Sequence, residues 1–185
     1  MHRQDLIKKL ENYNPEFEAE QEFRVRFLGF IKNNTDCFER TLAEGHITGS
    51  AWIVNSDRTK FLMTHHQKLD KWLQLGGHAD GDTNIIRVAT KEAEEESGLK
   101  SIRLKSTDIF DIDIHTIPAR KNEPEHLHYD IRFLFEADES EQLQVSVESK
   151  DLAWLTYDEL KHACGENDSI FRMAEKINRA SLKHN

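Results

Sequence analysis

Gly76-Gly77-His78-Ala79-Asp80-Gly81-Asp82, followed by Lys91-Glu92-Ala93-Glu94-Glu95-Glu96-Ser97-Gly98-Leu99, is the stretch that decides the fold. Asn84 to Ser97 reads as a helix. Asp82, Thr83 and Asn84 all suit its N-cap, and Gly98 is placed to stop it in the left-handed conformation. On that helix Glu92, Glu95 and Glu96 stand at i, i+3 and i+4, so their carboxylates share a face. Three neighbouring anions repel, and near a helix C-terminus the dipole disfavours them further. A hard divalent cation relieves both costs, which makes the glutamates candidate ligands for Mg²⁺ or Mn²⁺. The competing reading is a solvated acidic helix face.

Outward from this helix the periodicity alternates between strand and helix. Upstream, residues 46–54 and 60–64 read as strands joined through Asn55-Ser56-Asp57, and Trp72 to Leu75 as a short apolar segment entering the glycines. Downstream, residues 102–117, 128–136 and 148–154 read as strands, with a polar loop over 118–124. Two helices are expected between Asp5 and Lys32, broken near Asn14-Pro15, and two more over 157–164 and 170–182. Strands on both sides of a central helix predict an α/β/α sandwich with a mixed central sheet and an N-terminal helical extension. The expected division is a helical extension over 1–45, a main domain over 46–160 and a C-terminal helix packed on it over 161–185.

The segment from Gly77 to Leu99 resembles the box of the Nudix (MutT-like) hydrolase superfamily. That pattern is Gly, five residues, Glu, seven residues, then Arg-Glu-aliphatic-x-Glu-Glu-x-Gly-aliphatic. Gly77, Glu92, Ala93, Glu95, Glu96, Gly98 and Leu99 match it, whereas Thr83 stands at the first Glu and Lys91 at the Arg. The resemblance implies hydrolysis of a diphosphate linkage in a nucleoside diphosphate derivative or related phosphorylated metabolite. It further implies that Glu92, Glu95 and Glu96 hold the metal with the Gly77 carbonyl, and that one of them activates water. Lys91 would then orient a glutamate as the family's Arg does, without its planar two-pronged contact. Asp80 or Asp82 is the candidate to compensate for Thr83. A second reading keeps the fold as a ligand-sensing or interaction module without turnover.

Ten histidines are unevenly placed. His126, His128 and Asp130 fall at alternate positions of a strand and so project from one face, and His78 follows the double glycine. Imidazoles with a carboxylate form sites for transition metals, so these four residues are a candidate second metal site, one that could itself carry the chemistry. Isopentenyl diphosphate isomerase, a Nudix relative, also binds a metal through histidines, one of which follows a Cys-Gly pair. Here the tripeptide is Gly76-Gly77-His78, so the Cys that the isomerase uses is missing. Arg120, Lys121 and Arg132 are candidate phosphate contacts.

Composition narrows the classes. A net charge of −9 argues against general binding to nucleic acid or anionic membrane. No apolar run approaches the roughly 20 residues of a membrane span, and the N-terminus lacks the pattern of a signal peptide. Cys37 and Cys164 fit no metal or redox spacing and read as buried thiols. A cytoplasmic protein acting on a small molecule is expected, with a homodimer as a possible assembly that the Nudix resemblance suggests.

Overall fold

The structure, a computed structural model, describes residues 3–120 and 124–182. In chain order the elements are α1 (Gln4–Asn12), α2 (Glu18–Asn33), β1 (Gly45–Val54), β2 (Lys60–His66), β3 (Lys71–Leu73), β4 (Leu75–His78), α3 (Ile85–Ser97), β5 (Arg103–Leu104), β6 (Asp111–Ile117), β7 (His126–Glu136), β8 (Ser149–Thr156), α4 (Tyr157–Cys164) and α5 (Asp168–Leu182). Contacts divide the chain into two compact units. The first comprises residues 1–50, 76–89 and 106–133, and the second 51–75, 90–105 and 134–185. Strands β1, β4 and β7 and helix α3 contribute residues to both.

In the first unit α1 is a short amphipathic helix that buries Leu6 and Leu10. The turn after it is tied by Glu20. Its carboxylate accepts the N–H groups of Glu16 at 2.9 Å and Phe17 at 3.0 Å, and the Tyr13 hydroxyl. This satisfies backbone donors that every helix N-terminus leaves without intrahelical partners. Helix α2 buries Phe27, Phe30 and Ile31. Phe30 lies stacked on Tyr129 of β7 with centroids 3.9 Å apart, and Phe27 meets the same ring edge-on at 5.3 Å. Within this unit β4 pairs with β1, β1 neighbours β7, and β6 runs antiparallel to β7 from Asp111↔Arg132 to Ile117↔His126. Ile47, Ile112, Ile131 and Phe133 form its apolar centre.

In the second unit β1 turns into β2 through Asn55, whose side-chain oxygen accepts the N–H groups of Thr59 at 2.9 Å and Lys60 at 3.0 Å. Strand β2 pairs antiparallel with β3 and, from Lys60↔Thr156 to His66↔Ser149, with β8. Trp52, Ile53, Phe61, Leu62, Met63 and Phe135 are buried here. All three tryptophans belong to this unit: Trp52 packs on Phe61 at 5.0 Å, Trp72 stacks on His65 at 5.0 Å, and the indole nitrogens of Trp52 and Trp154 are buried without a hydrogen-bond partner among the described residues.

The expected helices and strands are present, with local differences. The run 102–117 is two strands rather than one. Between them Ser106 and Asp108 make a turn, the Asp108 N–H donating to the Ser106 hydroxyl at 3.0 Å, a side-chain to backbone bond that competes with the sheet ladder. Strand β7 starts at His126, so the alternating His126, His128 and Asp130 all lie on it, and Trp72 to Leu75 divides between β3 and β4. Among the described residues no helix is long and apolar enough to cross a membrane.

Candidate metal centre and acidic helix

Strand alternation gives the first unit a polar sheet face. His46, Thr48 and Ser50 alternate along β1, His126, His128, Asp130 and Arg132 along β7, and Asp111, Asp113 and His115 along β6. The ladder sets His115 directly across from His128. His78 ends β4, which pairs with β1. That pairing depends on Gly76, because a Cβ there would lie 2.7 Å from Ser50 Cα and 2.8 Å from the Gly49 oxygen.

Four neighbouring strands thus gather their histidines. His46, His78 and His128 each offer a ring nitrogen, and the three atoms lie within 4.8 Å of one another. The His46 ring centroid is 5.0 Å from that of His78, 4.8 Å from His128 and 5.0 Å from His126. His115 stands 5.4 Å from His128 by the same measure. His46 is only 3% exposed. Both its ring nitrogens, and Nε2 of His128, are buried with no hydrogen-bond partner among the described residues. A buried polar group left without a partner costs about 1–3 kcal/mol. Burial, reinforced by His78, His126 and Arg40 against a weaker pull from Asp80, lowers the His46 pKa to about 4. Burial and then His115, His78, His46 and His126 lower that of His128 to about 2. Both rings are therefore neutral at pH 7, which is the form that ligates metals.

Two residues expected at a metal or phosphate are committed elsewhere. Asp130 accepts hydrogen bonds from the hydroxyls of Thr48 at 2.9 Å and Ser50 at 2.7 Å, and from Nε of Arg132 at 2.7 Å. Arg132, expected as a phosphate contact, has a side chain 2% exposed and also pairs with Asp111 at 3.0 Å and Asp113 at 3.4 Å. Burial works against its charge, and Asp113, Asp130 and Asp111 outweigh that and hold it protonated. His126 donates Nδ1–H to the Pro124 carbonyl at 2.9 Å, and His115 pairs with Asp113 at 3.1 Å. His46 is the member that strand alternation along 126–130 did not reveal, although His46-x-Thr48-x-Ser50 carries the same signal on β1.

In the second unit Glu92 is half-buried, Glu95 exposed and Glu96 only 7% exposed. Lys91 lies 3.7 Å from Glu95, both side chains mostly exposed, so the pair is worth well under about 1 kcal/mol. Helix α3 closes at Gly98, whose φ is 72° and whose N–H donates to the Glu94 carbonyl at 2.9 Å.

In the first unit Gly77 is half-buried on β4, and the Asn84 side chain caps α3 by accepting the Arg87 N–H at 3.1 Å. Thr83 and the α1 residues Asp5, Leu6 and Lys9 line a cleft of about 10 Å³, room for one water and no more. Asp80 is gripped by Arg40, and Asp82 by Arg87 at 2.6 and 2.7 Å. Both carboxylates proposed to replace the box's first Glu are thus already paired with guanidinium groups. Arg120 is exposed, and Lys121 lies outside the described residues.

The family model for the NUDIX domain matches residues 46–173. A curated relative, the probable DHNTP pyrophosphohydrolase of Lactococcus lactis subsp. cremoris (strain MG1363), is 30% identical over 97 residues. That match covers 51% of this chain and 56% of the relative, so the chain spans little more than half of the relative's length. An Ap4A hydrolase from C. elegans, solved as a binary complex, superposes with a TM-score of 0.58 at 14% identity, covering 75% of this chain and 98% of that one. A NUDIX-family hydrolase from Clostridium perfringens gives 0.54 at 25% identity, covering 73% and 97%. The fold is the Nudix-type α/β/α sandwich on a mixed sheet that the order of elements led us to expect. By the match over residues 46–173, the chain belongs to the NUDIX domain family.

Proposed function

We propose that this protein is a metal-dependent hydrolase that cleaves a diphosphate linkage in a nucleoside diphosphate derivative or a related phosphorylated metabolite. The carrying observation is the carboxylate pair Glu92 and Glu96, half-buried and buried one turn apart on α3, in a chain of the NUDIX domain family. Neighbouring carboxylates on one helix face repel one another, and a divalent cation relieves that repulsion. All-oxygen donors of this kind suit Mg²⁺ or Mn²⁺. Glu92, Glu95 and Glu96 would hold the ion. Such an ion, when bound, neutralises phosphate charge and makes a bound water more acidic.

One of the three glutamates takes the proton from the attacking water, and Lys91 orients Glu95 across its 3.7 Å pair. Arg120 and Lys121 remain candidates for the phosphate. Arg132 supports the strands beneath instead. The activity is assigned to the expected domain over 46–160, with 1–45 as a helical extension and the C-terminal helix of 161–185 packed against that domain. The names of the relatives, a probable DHNTP pyrophosphohydrolase and an Ap4A hydrolase, support trying nucleotide-like di- and polyphosphates first. Two free cysteines fit a reducing cytoplasm, and a homodimer is a candidate assembly.

The test is a panel of diphosphate compounds with Mg²⁺ or Mn²⁺. Turnover is expected, and Glu96→Gln should reduce it by more than the roughly 100-fold that loss of a group merely supporting a metal ligand costs. Tight binding of a panel compound without product release would instead support a ligand-sensing module and sink the hydrolase.

A further inference from the structure

We propose that His46, His78 and His128 form a centre for one divalent transition ion of the Zn²⁺ class, with a ligand set that shares no residue with the acidic helix. This goes beyond the hydrolase reading and does not depend on it. It also replaces the ligand set expected from strand alternation, because His46 enters and Asp130 leaves.

The donor chemistry selects the ion. Three imidazoles with no carboxylate suit Zn²⁺, Co²⁺, Ni²⁺ or Cu²⁺, whereas Mg²⁺ and Ca²⁺ require oxygen. The spacing fits as well. A tetrahedral ion with Zn–N bonds near 2.0 Å sets its donor nitrogens about 3.3 Å apart. The three ring nitrogens lie within 4.8 Å of one another, so small side-chain rotations close the site without moving the strands.

The decisive observation is that His46 and His128 are otherwise unexplained. Both nitrogens of His46 and Nε2 of His128 are buried without a partner among the described residues. The nearby carboxylates do not supply one. Asp130 is taken by Thr48, Ser50 and Arg132, Asp111 by Arg132, and Asp113 by Arg132 and His115. An ion satisfies one nitrogen on each ring at once.

The flanking histidines follow the same logic. A carbonyl can only accept, so the 2.9 Å bond to the Pro124 oxygen puts a proton on His126 Nδ1 and leaves Nε2 as the nitrogen that could face an ion. The His126 ring stands 5.0 Å from His46 and 5.2 Å from His128, beside the three ligands. With three protein nitrogens the fourth position stays open to water, as in sites where an ion acts on a bound oxygen.

Co²⁺ reports this centre without reference to activity, because tetrahedral nitrogen coordination gives it a visible absorption band. Full-length untagged protein, stripped with a chelator, is titrated with Co²⁺ and then challenged with Zn²⁺. With Mg²⁺ in excess to occupy the carboxylates, one equivalent of Co²⁺ should develop the visible band, and Zn²⁺ should abolish it. His78→Ala replaces a half-buried residue at a strand end, and His46→Gln keeps the volume of a buried one. Each is expected to retain the far-UV circular dichroism spectrum and weaken Co²⁺ binding by at least about 100-fold, more than loss of a supporting group costs. Glu96→Gln should leave the Co²⁺ band intact whether or not it turns over substrate, which separates this centre from the hydrolase reading. Wild-type protein that binds no Co²⁺, or a folded His78→Ala that binds it as wild type does, would overturn the proposal. The orphaned nitrogens would then be satisfied by buried water.

Discussion

Arg132 carries one positive charge among three carboxylates, Asp111, Asp113 and Asp130, and its side chain is 2% exposed. Such a cluster persists only while every member is paired, since a buried charge without its partner pays most of its desolvation cost. Arg132→Leu should therefore destabilise the protein by about 3–5 kcal/mol, read as a lower midpoint in urea unfolding. Arg132→Lys keeps the charge and cannot serve three carboxylates with a planar fork, so its loss should be smaller but measurable. The sequence marked Arg132 as a phosphate contact because an arginine on a strand carries no sign of its burial. Its neighbours at 111 and 113 lie about twenty positions away in the chain, and only the β6–β7 register brings them together. His128 and His78 were legible from alternation and from their place after the glycines. His46 carried the same alternating signal on β1, but its adjacency to β7 and β4 is a matter of strand order, which a single sequence does not encode locally.

Among the elements, β4 depends closely on one residue. Its approach to β1 leaves no room for a side chain at Gly76, where the obstructing atoms include the Ser50 Cα and the Gly49 carbonyl oxygen. Backbone atoms cannot rotate aside as a side chain can. Gly76→Ala should cost about 1–3 kcal/mol or more as an overpacked site, measured by chemical denaturation. If the histidine centre is as proposed, the same variant should also weaken Co²⁺ binding, because His78 shifts with the strand that carries it. Helix α3 was read almost to the residue, since its Asn84 cap and Gly98 stop are local chemical signals. The division of 102–117 into β5 and β6 was missed because a Ser-Thr-Asp turn fits inside an alternating pattern without breaking its apolar positions.

For the whole molecule, the contacts interleave three stretches of chain in each of two compact units. Interleaving follows from which strands pair, and pairing partners far apart in sequence leave no mark on composition. The fold class itself was legible, because the box, its strand–turn–helix setting and the order of elements all agree. The acidic balance of −9 argues against general binding to nucleic acid or anionic membrane. It also means that any phosphorylated ligand meets a repulsive surface unless cations accompany it.

The distribution of tryptophans has an optical consequence. Trp52, Trp72 and Trp154 all fall in the second unit, while the first contains tyrosines such as Tyr13 and Tyr129 and no indole among its described residues. Intrinsic emission excited at the red edge, where only indole absorbs, therefore reports directly on one unit alone. Trp52 is fully buried, and its indole nitrogen has no hydrogen-bond partner among the described residues, so native emission should be blue-shifted and should move to longer wavelength as the second unit opens to water. Ellipticity near 222 nm, to which the helices of both units contribute, gives the companion trace. Coincident curves in urea are expected if the two units unfold as one cooperative system, and a fluorescence midpoint displaced from the ellipticity midpoint would reveal that they melt in turn.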